Sequence, residues 1–551
     1  MINKQEQYKI SDLEQNLYRA ANTFHGGGDL NNLEILNVAI PTIFLKRVLD
    51  LRQDYIEKEL IKVPEYVFGN HVKALKAVNN EINQVFRVIN QDEWFFVTYQ
   101  DILDYQDNDK EEEIEITLSI NENIKLKTTA RNRVAFVKEL QNNLNHKIIG
   151  DIFKNSRYFS LYLEDKLTHD ETEILFNKFA NYYFGDNVST DIFSQAYIYL
   201  ISEFAKSAGK NGGEFFTPDP ICKAVIACLQ PKLKNSGMIN VADLTSGSAT
   251  FLIEFGRYIA DKYSKQEATS KIEFFLQEKV GQTLILGEAG LLLAGFQYIQ
   301  AYHGNTLLNY AENIGQHRTK MDYVVGNPPY GTSILEDKSY TEIKRLMNEE
   351  QEPRWDYGIP PKAELEWFFV SSALDMVHEQ GKVGLVLPLG TLFKKNNRQK
   401  MRELGWIEGI IVLPSNMFQT TGIPTCIWIF NKERSQEDKE KGIFFVNAAN
   451  HAWKEDKFNT IDYDKLIEHY TNRIEEKGYS GYVSNEVLES NGDNYTIDKY
   501  IYTDEEKDIV DIAGLHLKSK ELSQKIQDQE SDLNIIFDMI EKINGEKDDQ
   551  E

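Results

Sequence analysis

The chain has 551 residues, 41% of them hydrophobic, with 86 acidic against 61 basic side chains and a formal net charge of −25. That length predicts about two to four domains with a sizeable core, and the acidic balance argues against a chain that grips nucleic acid unaided, because phosphate contacts need a basic footprint. A local basic face or another subunit would have to supply that grip. No run of about eighteen apolar residues occurs and the start, Met1-Ile2-Asn3-Lys4-Gln5, lacks a signal-peptide core, so the expectation is a cytoplasmic protein without a membrane partner. Cys222, Cys228 and Cys426 form no CxxC pair and no disulfide framework, and read as small buried hydrophobes.

Residues 9–60 read as helices, opened by the cap-like Ser11-Asp12. Phe24-His25-Gly26-Gly27-Gly28-Asp29 is a glycine loop; an esterase reading of its HGGG string fails because no GxSxG elbow occurs. Residues 36–51 form a second helical stretch, expected to kink or restart at Pro41, with Phe44-Leu45-Lys46-Arg47 near its end. Residues 70–185 are polar and predicted mostly helical, with helices at 132–144 and 170–183 and a solvated acidic loop over 104–115.

Gly212-Gly213-Glu214-Phe215-Phe216-Thr217-Pro218 then breaks the pattern, and a helix is predicted over 220–229. Val241-Ala242-Asp243-Leu244-Thr245-Ser246-Gly247-Ser248-Ala249-Thr250 reads as strand, small-residue loop and helix start, the form of a Rossmann-like first turn in which the backbone approaches a ligand. Asp243 at the strand end can hold an ammonium group, directly or through water. Residues 272–278 form a strand ending in Glu278, whose carboxylate suits two ribose hydroxyls, or is an ordinary strand-end acid. A helix over 283–296 leads to Ala301-Tyr302-His303-Gly304-Asn305.

The chain is organised around Asp322-Tyr323-Val324-Val325-Gly326-Asn327-Pro328-Pro329-Tyr330. A short apolar run ending in Asn-Pro-Pro-aromatic reads as a strand that delivers a rigid turn at its carboxyl end. The plain alternative is a strand followed by a proline turn. Pro328 and Pro329 fix φ and remove two backbone donors, so the Asn327 side-chain oxygen and the Pro328 carbonyl form a pair of acceptors for an exocyclic amino group. Such an amine is a poor nucleophile because its lone pair is delocalised into the ring. Two acceptors favour pyramidalisation and aim the lone pair, so positioning supplies most of the rate. Tyr330 offers a flat face on which a base can stack. No metal is needed, and no cluster of ligand spacing occurs.

These residues resemble the modification (M) subunit of type I restriction-modification systems, an adenine-N6 DNA methyltransferase family. Further matching stretches are Ala363-Glu364-Leu365-Glu366-Trp367-Phe368-Phe369, Gly381 to Pro388, Leu392-Phe393, Ile410-Ile411-Val412-Leu413-Pro414, Met417-Phe418-Gln419-Thr420-Thr421-Gly422-Ile423-Pro424-Thr425, Phe444-Phe445-Val446-Asn447-Ala448 and Asn491-Gly492-Asp493-Asn494-Tyr495-Thr496-Ile497. Together they cover most of residues 8–503. The resemblance implies an α/β, Rossmann-like S-adenosylmethionine-dependent methyltransferase domain at 186–503, after an N-terminal, mostly helical domain at 1–185. A helical tail at 504–551 would follow. Its stripe Leu522, Ile526, Leu533, Ile536 and Ile540 is either core or a face that docks a partner.

By that resemblance Phe216, Thr217 and Pro218 line the methionine end of an S-adenosylmethionine site. Asp243, Thr245, Gly247, Ser248, Glu278 and Asn305 complete it, and Asn327, Pro328, Pro329 and Tyr330 form the catalytic turn. Three positions depart from the family pattern: Leu244 replaces a proline, Ala249 a glycine and Asn305 an aspartate. A base inside a duplex must be flipped out to reach such a turn; Tyr330 would stack on one face and Phe418 on the other, unless Phe418 is a core aromatic packed near Pro414. The implied activity is site-specific adenine methylation of double-stranded DNA, with target recognition delegated to a separate specificity (S) subunit. A restriction (R) subunit is a further implied partner. The alternatives are a protein glutamine-N5 methyltransferase, which shares Asn-Pro-Pro-Tyr, and a scaffold subunit with a decayed cofactor site.

Overall fold

The computed structural model describes residues 32–58, 97–106, 112–143, 176–185, 217–296, 298–308, 320–330, 340–345, 364–393, 398–418, 422–455 and 458–502, with a few residues between these stretches. Met1–Ile501 forms one compact unit and Tyr502–Glu551 a second. The HGGG loop, Phe216 and the apolar stripe of the tail lie outside the described residues.

Helix α1 (Asn32–Lys58) is continuous through Pro41, so of the two sequence expectations, a kink or a restart, the restart does not occur. The cost of an interior proline, about 3 kcal/mol, is set against a helix buried over several turns, with Ala39, Ile43, Leu45 and Leu49 all in the core. Lys46 and Arg47 are buried too, and form no basic surface. The Lys46 ammonium lies 2.6 Å from the Asp50 carboxylate and over the ring of Tyr99, while Arg47 donates to the carbonyls of Phe184 and Gly185. Helix α2 (Tyr99–Asp104) follows, opened by a capping box between Thr98 and Asp101.

The next stretch corrects the reading of 104–115 as a loop in helical surroundings. β1 (Ile114–Thr117) and β2 (Lys125–Thr128) form an antiparallel hairpin. Its pattern is a period of two: Leu126 and Thr128 are buried, Lys125 and Lys127 exposed. Lys125 reaches Glu115 at 3.0 Å and Lys127 reaches Glu113 at 3.1 Å, so the acidic run supplies cross-strand partners. Helix α3 (Arg133–Asn143) completes this part.

From α4 (Asp219–Leu229) onward the chain builds a nine-stranded sheet. β3 (Ile239–Asp243), α5 (Thr250–Lys262), β4 (Ile272–Glu278), α6 (Gly281–Leu293) and β5 (Ile299–His303) step outward in one direction. β6 (Met321–Gly326) then returns to the other side of β3. Beyond it come α7 (Leu365–Met376), β7 (Val377–Pro388), α8 (Arg398–Glu403), β8 (Ile407–Val412), β9 (Thr425–Asn431) and β10 (Ile443–Asn447). A small hairpin of β11 (Trp453–Glu455) and β12 (Phe458–Thr460) precedes α9 (Tyr463–Asn472) and β13 (Ser480–Val483). The order across the sheet is β13-β10-β8-β9-β7-β6-β3-β4-β5. β9 runs antiparallel to both neighbours and β13 to β10, while the other pairs are parallel. β8 and β10 are buried at every position, as expected for strands covered on both faces. Helix α7 ends at Met376 and β7 starts at once, four residues before the Gly381 from which a strand was read.

Residues Leu286, Ala289 and Leu293 of α6 belong to the same apolar cluster as Trp94, Phe96 and Phe136. The helix that follows the second sheet strand is therefore packed on the N-terminal region.

Candidate active site

The direction of strand addition reverses between β3 and β6, which makes their carboxyl ends the crevice where open α/β sheets bind ligands. The structure has a cavity of about 290 Å³ there, lined by Thr217, Asp243, Thr245, Gly247, Glu278, Asn305, Asn327 and Pro329 among others. Asp322, the first residue of the central motif, sits at the opposite end of β6. It accepts from the Asn240 amide at 2.9 Å, lies 2.8 Å from His378 Nε2 and 2.7 Å from Lys234, and so anchors the strand rather than the site.

On the β3–β4 side the polar groups are held by the chain's own backbone. Glu278 accepts from the Gly247 amide at 3.0 Å through one oxygen and from the Val280 amide at 2.9 Å through the other. Thr245 N–H donates to Asp243 Oδ1 at 2.9 Å. Gly326 passes so close that a Cβ there would stand 2.8 Å from the same oxygen, so only a hydrogen fits. Asp243 is 1% exposed, and burial, reinforced by the Glu278 charge, pushes its carboxyl up to about 7 despite the Thr245 hydrogen bonds. The small-residue loop turns through Gly247 (φ 52°) and Ala249 (φ 61°). A left-handed alanine costs about 1–2 kcal/mol. Ala249 is fully buried, and its methyl recovers about 0.8 kcal/mol, so this departure from glycine is offset in part. Asn305 Oδ1 accepts from the Leu307 amide at 3.0 Å, and Thr306 donates its hydroxyl to the Leu244 carbonyl, which ties the third loop to the first.

This donor set fits S-adenosylmethionine. A buried carboxylate suits an ammonium group, and a second carboxylate keeps lone pairs beyond its two backbone bonds for a vicinal diol. The Ser246 hydroxyl is buried in the cavity wall with no partner among the described residues.

On the β6 side the key group is held by side chains. Asn327 Nδ2 donates to Thr217 Oγ1 at 2.9 Å, and the Tyr330 hydroxyl donates to Asn327 Oδ1. Sequence reasoning gave Thr217 only a cofactor role. The bond to Asn327 joins positions 110 residues apart and leaves no local signal.

The remaining candidates fall as follows. Pro328 is buried, while Pro218 and Tyr330 are half-buried. Ser248 is buried with its hydroxyl 3.1 Å from that of Thr250. Phe418 is 5% exposed within the apolar cluster that contains Leu413, Met417 and Ile427, and does not line the cavity. In this conformation its ring packs as a core aromatic and offers no free face to a base. The three cysteines are buried, as their sequence reading anticipates.

A family model described as N-6 DNA Methylase matches residues 188–509, more than half of the chain. Among curated relatives, the methylase subunit of the type I restriction enzyme MpnII of Mycoplasma pneumoniae is 28% identical over 374 residues, covering 64% of this chain and 66% of that protein. The methylase subunit of the type I restriction enzyme MjaVII of Methanocaldococcus jannaschii is 28% identical over 375 residues, covering 65% of this chain and 60% of that one. The chain thus spans less than two thirds of the length of either relative. Among solved structures, the methyltransferase subunit of a type I restriction-modification system from Streptococcus thermophilus aligns with a TM-score of 0.69 at 19% identity. That alignment covers 90% of this chain and all of the other, which establishes a shared fold.

Proposed function

The chain belongs to the N-6 DNA methylase family, and on that premise we propose that it transfers a methyl group from S-adenosylmethionine to N6 of adenine in double-stranded DNA. It acts as the modification subunit of a type I restriction-modification complex, with a specificity subunit reading the target and a restriction subunit as a further partner. The observation that carries this reading is that Asn327 lines the same cavity as Asp243 and Glu278. An amine acceptor and two ligand-binding carboxylates share one cleft at the switch point. Bound there, S-adenosylmethionine supplies an activated methyl group, so the chain need not generate a strong electrophile.

Asp243 and Glu278 hold the cofactor's ammonium and ribose hydroxyls. Asn327 Oδ1 and the Pro328 carbonyl accept the two N–H groups of the flipped adenine, and Tyr330 stacks on the ring. Asn327 Oδ1 has two lone pairs, so it can accept the amine while keeping its bond from Tyr330. The net charge of −25 favours leaving most phosphate contacts to a partner. The test is to incubate the chain, co-purified with its specificity partner, with unmethylated duplex DNA and labelled S-adenosylmethionine, and to identify the methylated nucleoside by mass spectrometry. N6-methyldeoxyadenosine is expected. Labelled glutamine in protein, or no transfer by a complex that binds both ligands, would refute the proposal.

A further inference from the structure

We propose that Thr217 is a positioning residue for methyl transfer: its hydroxyl pins the Asn327 carboxamide from outside the motif, in the plane from which Oδ1 accepts the incoming amine. This deepens the methyltransferase reading above and rests on it. The two ends of an asparagine amide are nearly identical in shape but opposite in hydrogen-bonding sense. An amine must donate to Oδ1, and an amide turned by 180° would set donors against donors. Both partners of this amide are hydroxyls, which donate or accept, so what they fix is the plane and position of the amide in which Oδ1 meets the amine.

The structure supplies a partner at each end. Tyr330 O–H donates to Asn327 Oδ1, and Asn327 Nδ2 donates to Thr217 Oγ1 at 2.9 Å, so the bonds run in one consistent sense. Tyr330 follows Asn327 by three residues on the same turn, whereas Thr217 comes from a different part of the chain. The anchor behind it is firm. Pro218 caps α4, the amides of Ile221 and Cys222 donate to the Pro218 carbonyl, and eight of the eleven helix residues, beginning with Ile221, are buried. The position of Thr217 is thereby set by a helix wedged in the core, and the orientation of Asn327 is referred to that helix. Thr217 also lines the cavity, so a role in binding S-adenosylmethionine competes with this one.

Replacing Thr217 by Val keeps the shape and removes the acceptor, while Thr217→Ser keeps it. In the complex with the specificity partner and unmethylated duplex DNA, Thr217→Val should lower the single-turnover rate at saturating S-adenosylmethionine and DNA by about 10- to 100-fold. Its cofactor dissociation constant by calorimetry should move by less than about threefold, its melting temperature should match wild type, and Thr217→Ser should recover most of the rate. A Val variant with the wild-type saturated rate, one that loses only cofactor affinity, or a Ser variant as slow as Val would overturn the proposal while leaving the methyltransferase reading intact. A wild-type complex that methylates no DNA would overturn that reading, and this proposal with it.

Discussion

The two sides of the crevice are built on different principles. Beside β3 and β4, Glu278 and Asp243 are fixed by backbone amides of the loops they face. Beside β6, Asn327 is fixed by two hydroxyls, one of them 110 residues away. Backbone donors survive substitution of the residue that carries them, whereas a hydroxyl is lost with a single change. The proposed cofactor side should thus be sensitive mainly to its own carboxylates and to crowding of its loop. The acceptor side can be disabled from outside the motif.

The largest effect expected on the cofactor side follows replacement of Asp243 by Asn. Removing the buried charge should weaken S-adenosylmethionine binding by about 100-fold or more, as for a broken buried ion pair. pH sharpens the same point. The folded carboxyl, at about 7 against an ordinary 3.8, binds its proton more tightly than the unfolded chain does. In the unliganded protein it therefore lowers stability as pH rises between those values. The cofactor's ammonium needs the ionised form, so affinity should rise as pH passes through about 7. Calorimetric titration across pH 6 to 8 should show this dependence in wild type and lose it in Asp243→Asn.

A smaller loss, about tenfold in cofactor affinity, is expected for Glu278→Gln, which keeps the shape and part of the backbone bonding but not the charge. Unchanged affinity in a folded variant would remove Glu278 from the site. The smallest change is in stability. A Cβ on Gly287 of α6 would meet the Gly247 carbonyl at 3.0 Å and Ala249 Cβ at 3.1 Å. Gly287→Ala should cost about 1–3 kcal/mol by overpacking against about 1 kcal/mol gained in helix propensity, for a small net fall in melting temperature and a loosened loop. An unaltered melting curve would show that the loop and helix move apart freely.

The same contrast explains what the sequence made legible. Asp243, Glu278 and Asn327 all end apolar runs, and strand punctuation is a local signal, so their places at strand ends followed from pattern, while their grouping in one site rested on the family resemblance. The partner of Asn327 is a long-range fact with no such signal. Asp322 looked like part of the functional motif, yet it sits at the other end of its strand beside His378 and Lys234. Lys46 and Arg47 were visible as basic residues, but their burial against Asp50 and the 184–185 carbonyls depends on tertiary packing. The β1–β2 hairpin was missed because the acidic run masked a short period-two alternation, and the helix does not restart at Pro41 because its burial outweighs the local penalty. For Phe418 the sequence left two readings open, and the described ring packs in the core.

The most direct test of the account is Asn327→Ala in the assembled complex, measured as single-turnover formation of N6-methyldeoxyadenosine alongside cofactor binding. The rate should fall by about 100- to 1,000-fold, as when one preorganised polar group is removed from a reacting centre. The S-adenosylmethionine dissociation constant should stay within about threefold of wild type, because the cofactor carboxylates are held independently. A variant that keeps more than a tenth of the rate, or whose loss of activity is explained by loss of cofactor binding, would contradict the role assigned to Asn327.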